Sequence, residues 1–118
     1  MNKNIYQQSG ILLSTGDTFV ETPNIPLIQG GGILIARISS VATSDLYVVE
    51  MVCKYQKDDS GVLTLSTAGF PYEHIAGTFL PRPSFVNSSN NLRIRFTRNT
   101  HGADSNWMVD MDIFFLNI

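Results

Sequence analysis

The sequence predicts an all-β fold, a jelly-roll-like antiparallel β-sandwich of six to eight strands. Three observations carry this. First, charged residues are only 15% of the chain, against about 25% in an average soluble domain. Ser (11), Thr (9) and Asn (9) take their place, a mix that suits strand surfaces and turns better than helix surfaces. Second, the apolar runs alternate with period two and are rich in β-branched and aromatic residues. Third, Gly-, Pro- and Asn-rich punctuation separates them. The 118 residues, 43% of them hydrophobic, suffice for one domain with its own core.

Residues 1–31 read as an N-terminal arm or connector and residues 32–118 as the sandwich. The first stretch holds Gly10, Gly16, Pro23, Pro26 and Gly30 to Gly32 around short apolar pieces, which fits extended chain or two short strands but no helix. The triple glycine precedes a strand rather than a helix, so it lacks the terminus that makes a phosphate cradle, and it reads as a flexible joint. Ile33–Ser40 and Leu46–Tyr55 are the first long strands. Both faces of the second are largely apolar, so it is expected to be central and covered on both sides. Lys57-Asp58-Asp59-Ser60-Gly61 is a turn with Gly61 at positive φ, and Val62–Ser66 runs back to close a hairpin. Thr67–Ser84, with Gly69, Pro71, Gly77, Pro81 and Pro83, reads as the longest irregular segment. Asn87–Asn91 is another turn. Leu92–Thr97 and Trp107–Leu116 are the last strands, joined by 98–106.

Pairing those last two as a hairpin about Gly102-Ala103 sets Leu92, Ile94 and Phe96 opposite Ile113, Met111 and Val109. It also sets Arg93 opposite Asp112 and Arg95 opposite Asp110, a structural charge ladder that a one-residue slip would break. Two other roles for Asp110 and Asp112 are a metal or acid–base pair, which the arginines would neutralise, and pairing across a subunit interface.

Net charge is −2 and the pI near 5.5, which argues against an electrostatic grip on nucleic acid or anionic lipid. No apolar run nears the ~20 residues that span a bilayer, and the polar first ten residues are not a secretory signal. The single cysteine, Cys53, makes no internal disulfide. It lies in a strand away from His74 and His101, and no spaced nucleophile motif is present. No catalytic residue, metal or cofactor is therefore assigned. The remaining candidates are ligand-binding: Phe70, Tyr72 and His74 in the ring-rich, Pro-braced stretch, and Arg98, His101, Asn106 and Trp107 around the last loop. These rings either pack over the end of the sandwich or are offered to a sugar or protein.

The polar arm, the long strand pair and the Gly-turn hairpin are followed by Asn90-Asn91-Leu92-Arg93-Ile94-Arg95-Phe96-Thr97. The chain then ends in Trp107-Met108-Val109-Asp110-Met111-Asp112-Ile113-Phe114-Phe115-Leu116. Over 32–118 this layout resembles the C-terminal β-sandwich domains of bacteriophage tail fibres and tailspikes. The resemblance implies a homotrimer on a virion, made in the host cytoplasm, that binds a bacterial cell-surface glycan or serves only in trimerisation or capping. A stand-alone lectin-like domain is the alternative. Neither nucleic acid nor membrane insertion is expected.

Overall fold

In the computed structural model, residues 2–13, 19–27, 30–42, 45–76, 82–97 and 107–116 are described. They form eight antiparallel strands: β1 (Asn2–Leu13), β2 (Phe19–Glu21), β3 (Gly30–Ala42), β4 (Asp45–Lys57), β5 (Leu63–Ala76), β6 (Arg82–Ser88), β7 (Asn91–Thr97) and β8 (Trp107–Leu116). A five-stranded sheet runs β1-β8-β3-β4-β5 and a three-stranded sheet runs β2-β7-β6. The expected all-β architecture is present. The β1–β8 and β2–β7 pairs have the winding of a jelly roll, where outer strands pair first with last. The inner strands depart from it, because β3, β4 and β5 form a simple meander in one sheet.

The core lies between the sheets and follows from alternation. Leu34, Ala36 and Ile38 on β3, Tyr47, Val49, Met51, Cys53 and Tyr55 on β4, and Val109, Met111 and Ile113 on β8 are buried. Leu92, Ile94 and Phe96 on β7 and Phe85 on β6 close over them in the same cluster. Each fully buried side chain of this size stabilises the fold by roughly 1.5–3 kcal/mol in transfer terms. The sheets are stitched at one end by amides: Asn87 Nδ2 donates to the Leu63 carbonyl at 2.8 Å, and Leu63 N–H donates to Asn90 Oδ1 at 3.2 Å.

Several sequence expectations change. The stretch 1–31 is no arm: it supplies β1, an edge of the large sheet paired along β8, and β2, an edge of the small one. Gly10 sits at a bulge of β1, and Pro23 and Pro26 follow β2, where pairing tolerates them. Gly31 and Gly32 are not a joint but part of β3, opposite Gln56 and Tyr55. At Gly32 a Cβ would collide with the Phe115 ring, so any side chain there would force that ring to shift. The stretch 67–84 is largely strand. β5 reaches Ala76 with register shifts opposite Glu50–Cys53, and β6 begins at Arg82. Pro71 and Pro83 are accommodated because β5 and β6 are edge strands, which need not donate every N–H. β4 does lie inside its sheet, between β3 and β5. No second layer covers its other face among the described residues: Leu46, Val48, Glu50 and Val52 are half-buried, and Lys54 and Gln56 exposed.

Two turns match expectation. Gly61 has φ +84° in the β4–β5 turn, where Asp58 Oδ1 accepts from the N–H groups of Ser60 and Val62, each at 2.9 Å. Ser89 and Asn90 both have positive φ between β6 and β7, the two-residue hairpin geometry that Asn tolerates.

Candidate functional site

The proposed charge ladder is not formed. β7 pairs with β2 and β6, whereas β8 pairs with β1 and β3, so Arg93 and Arg95 lie in a different sheet from Asp110 and Asp112. The physical reason is that the apolar rows of β7 and β8 meet face to face across the core instead of side by side. Their polar rows therefore point away from one another, out of opposite faces of the sandwich.

The outer face of the large sheet is where the described candidates gather. Cross-strand partners share a face, so register defines rows across all five strands. One row reads Tyr72 (β5), Glu50 (β4), Arg37 (β3), Asp112 (β8) and Gln7 (β1). The next holds His74, Val48, Ser39 and Asp110. Tyr72 is 53% exposed and His74 is exposed, so both are available to a ligand.

Arg37 Nε bonds Glu50 Oε2 at 2.9 Å, and its guanidinium lies 5.1 Å from the Phe114 ring centroid. Asp110 Oδ1 accepts from Gly10 N–H at 2.9 Å, and Asp112 Oδ1 accepts from Asn4 Nδ2 at 3.5 Å. Neither aspartate is ion-paired among the described residues. Between Arg37, Ser39, Val48, Asp110 and Asp112 lies a shallow hollow of about 150 Å³. Fixed carboxylates, a guanidinium and an exposed ring in one row can hydrogen-bond hydroxyls and stack on an apolar ligand face.

A third row on this face is apolar: Leu12 (β1), Met108 (β8), Val41 (β3) and Leu46 (β4). Leu12, Met108 and Val41 are 49%, 48% and 48% exposed, so half of each side chain faces water. From Met108 to Asp112 along β8 is about 14 Å at ~3.4 Å per residue, which separates this row from the polar one.

Of the other candidates, Phe70 falls within β5 and Trp107 opens β8 opposite Leu13, but their side chains lie outside the described set. Arg98, His101 and Asn106 lie outside the described residues altogether. Cys53 is buried, and burial pushes its thiol up from its ordinary value, which suits packing and not nucleophilic attack. Among the described residues no group of three or more His, Cys, Asp or Glu is placed to hold a metal.

Arg37 and Glu50 were missed by sequence reasoning. The signal was available: folding Ile33–Ser40 onto Leu46–Tyr55 about residues 43–44 sets Arg37 opposite Glu50.

No family model, curated protein or solved structure matches the chain.

Proposed function

We propose that this chain is a non-enzymatic attachment domain of the kind found at the tips of phage tail fibres and tailspikes. In this reading it is a homotrimer carried on a virion that binds a bacterial cell-surface glycan. The observation that supports it is the division of one sheet face into an exposed apolar row and a polar row bearing an exposed ring. The apolar row Leu12–Met108–Val41 suits burial against further copies, since exposed contiguous apolar surface marks interaction sites. It carries no charge that would have to be desolvated. The polar row suits a saccharide: Tyr72 stacks on a pyranose face while Glu50, Arg37 and Asp112 meet hydroxyls, with His74 at the rim. It crosses five strands, about 19 Å at ~4.8 Å per strand, so it engages a chain of sugars and not a single ring. Weak single-site affinity would be raised by presenting three sites together.

The test combines mass and binding. Light scattering is expected to give about three times the 13.1 kDa of one chain. Val41→Glu, which puts charge into the apolar row, should reduce that mass toward one chain. Binding to immobilised neutral bacterial surface polysaccharides should fall at least tenfold in Tyr72→Ala with the mass unchanged. A wild-type monomer that binds sugar would favour the lectin-like alternative. A trimer that binds none of these polysaccharides would leave the apolar row as its only role, that of a structural trimerisation or capping module.

A further inference from the structure

We propose that the outer face of the small sheet carries a second saccharide site, selective for acidic sugars, built from Phe19, Arg93 and Arg95. Sequence reasoning spent these arginines on a ladder that is not formed. Their actual partner is Glu21, opposite Arg95 in the β2–β7 pair. Arg95 Nε donates to Glu21 Oε2 at 2.7 Å, and Arg93 Nη1 to Glu21 Oε1 at 3.3 Å. Arg93 Nε also donates to Asn24 Oδ1 at 2.7 Å. Among the described residues one carboxylate thus serves two guanidiniums, leaving one positive charge uncompensated there.

The donors are both fixed and partly unused. Each guanidinium has five N–H groups. Glu21 and Asn24 engage Nε and one Nη of each, so among the described residues more than half remain open. The two side chains, 35% and 41% exposed, project from the same face of β7 about 7 Å apart. That spacing allows both to reach one carboxylate or two neighbouring sugar oxygens. The Arg95 guanidinium carbon lies over the Phe19 ring, 4.5 Å from its centroid, and Phe19 remains 49% exposed. A ring half open to water next to held cations gives an acidic sugar what it needs: a stacking surface for its C–H face and charge-assisted donors for its anion.

The large-sheet face has the opposite character. Its described charges are Glu50, Asp110 and Asp112 against Arg37 and Lys54, so it disfavours an anionic ligand. A uronic acid is therefore assigned to the Phe19 side. Single-stranded nucleic acid presents rings and anions too, but the chain's net charge of −2 opposes a longer polyanion track.

This site does not depend on the polar row of the large sheet, and its test separates the two. Titrate the full chain with an oligogalacturonate, its methyl ester and a dT oligonucleotide, following heat or intrinsic fluorescence. The acid is expected to bind at least tenfold more tightly than the uncharged ester, with affinity falling as salt rises. Phe19→Ala and Arg93→Gln should each weaken it at least fivefold, and Tyr72→Ala should leave it unchanged. Phe19 is half exposed, so its removal spares the core, and Arg93→Gln keeps a donor for Asn24. Absent binding, equal binding of acid and ester, indifference to both variants, or tighter binding of dT would overturn the site. Loss in Tyr72→Ala alone would overturn it while supporting the large-sheet reading.

Discussion

Replacing Ser40 with alanine is expected to stabilise this protein, against the usual sign of a core substitution. Ser40 sits on β3 between Tyr47 of β4 and Val109 of β8. It is fully buried, and its hydroxyl has no hydrogen-bond partner among the described residues. Burying a hydroxyl without a partner costs about 1–3 kcal/mol. Deleting the oxygen removes that cost and loses a few dispersion contacts, each of about 0.1–0.2 kcal/mol. Alanine's weaker strand preference takes back a few tenths more. The balance is a gain of about 1 kcal/mol, which for a domain of this size raises the melting temperature by about 4 °C. Urea unfolding at one fixed protein concentration reads it directly, as a higher midpoint with an unchanged slope. A loss of 0.5 kcal/mol or more would mean that the hydroxyl is hydrogen-bonded in solution, and the reasoning would fail.

Two further predictions use the same accounting with other signs. Thr22 is also buried, but Oγ1 accepts the Ile94 N–H at 3.1 Å and donates to the Pro23 carbonyl at 2.9 Å. Thr22→Val keeps the shape and orphans that buried N–H, so it should destabilise by about 1–3 kcal/mol in the same urea assay; a neutral result would refute the bond's role. For Glu21, hydrogen bonding to Arg95 leads the causes that hold its carboxyl below the ordinary 4.5. A depressed folded value means its contribution is complete above the unfolded value and is lost as pH falls through the folded one. Stability should therefore decline below about pH 4.5, less steeply in Glu21→Gln; equal acid limbs would show that the arginines do not favour the ionised form.

The strands were legible where physics is local. Period-two alternation over Leu46–Tyr55, Leu92–Thr97 and Trp107–Leu116 is a direct image of which residues face the core. The turns at Gly61 and at Ser89–Asn90 follow from the few residues that accept positive φ cheaply. Which strand lies beside which was not legible, because alternation fixes a strand's face but not its neighbour. Leu92, Ile94 and Phe96 meet Val109, Met111 and Ile113 equally well as a hairpin or across a sandwich. Choosing the hairpin misassigned Arg93 and Arg95, whose acid partner Glu21 lies more than seventy residues earlier. Of the candidate site, Tyr72 and His74 were found from composition, as rings in a Pro-rich stretch. The row that gives them neighbours needed the β3–β4 register.

That misassignment bears on function. Had the arginines neutralised Asp110 and Asp112, the sandwich would present one uncharged ladder and no electrostatic contrast. With the pairs in separate sheets, the described outer charges divide: carboxylates exceed cations on the large sheet, and cations exceed the carboxylate on the small one. Stacked sheets lie about 10 Å apart, and screening at physiological salt acts over about 8 Å. Two faces separated by the sandwich and its outward side chains thus present nearly independent potentials. Adding salt should then weaken an acidic saccharide at Phe19, Arg93 and Arg95 while hardly affecting a neutral one at Tyr72, Glu50 and Arg37. Salt dependence measured ligand by ligand therefore reports which face is in use, even before any residue is changed.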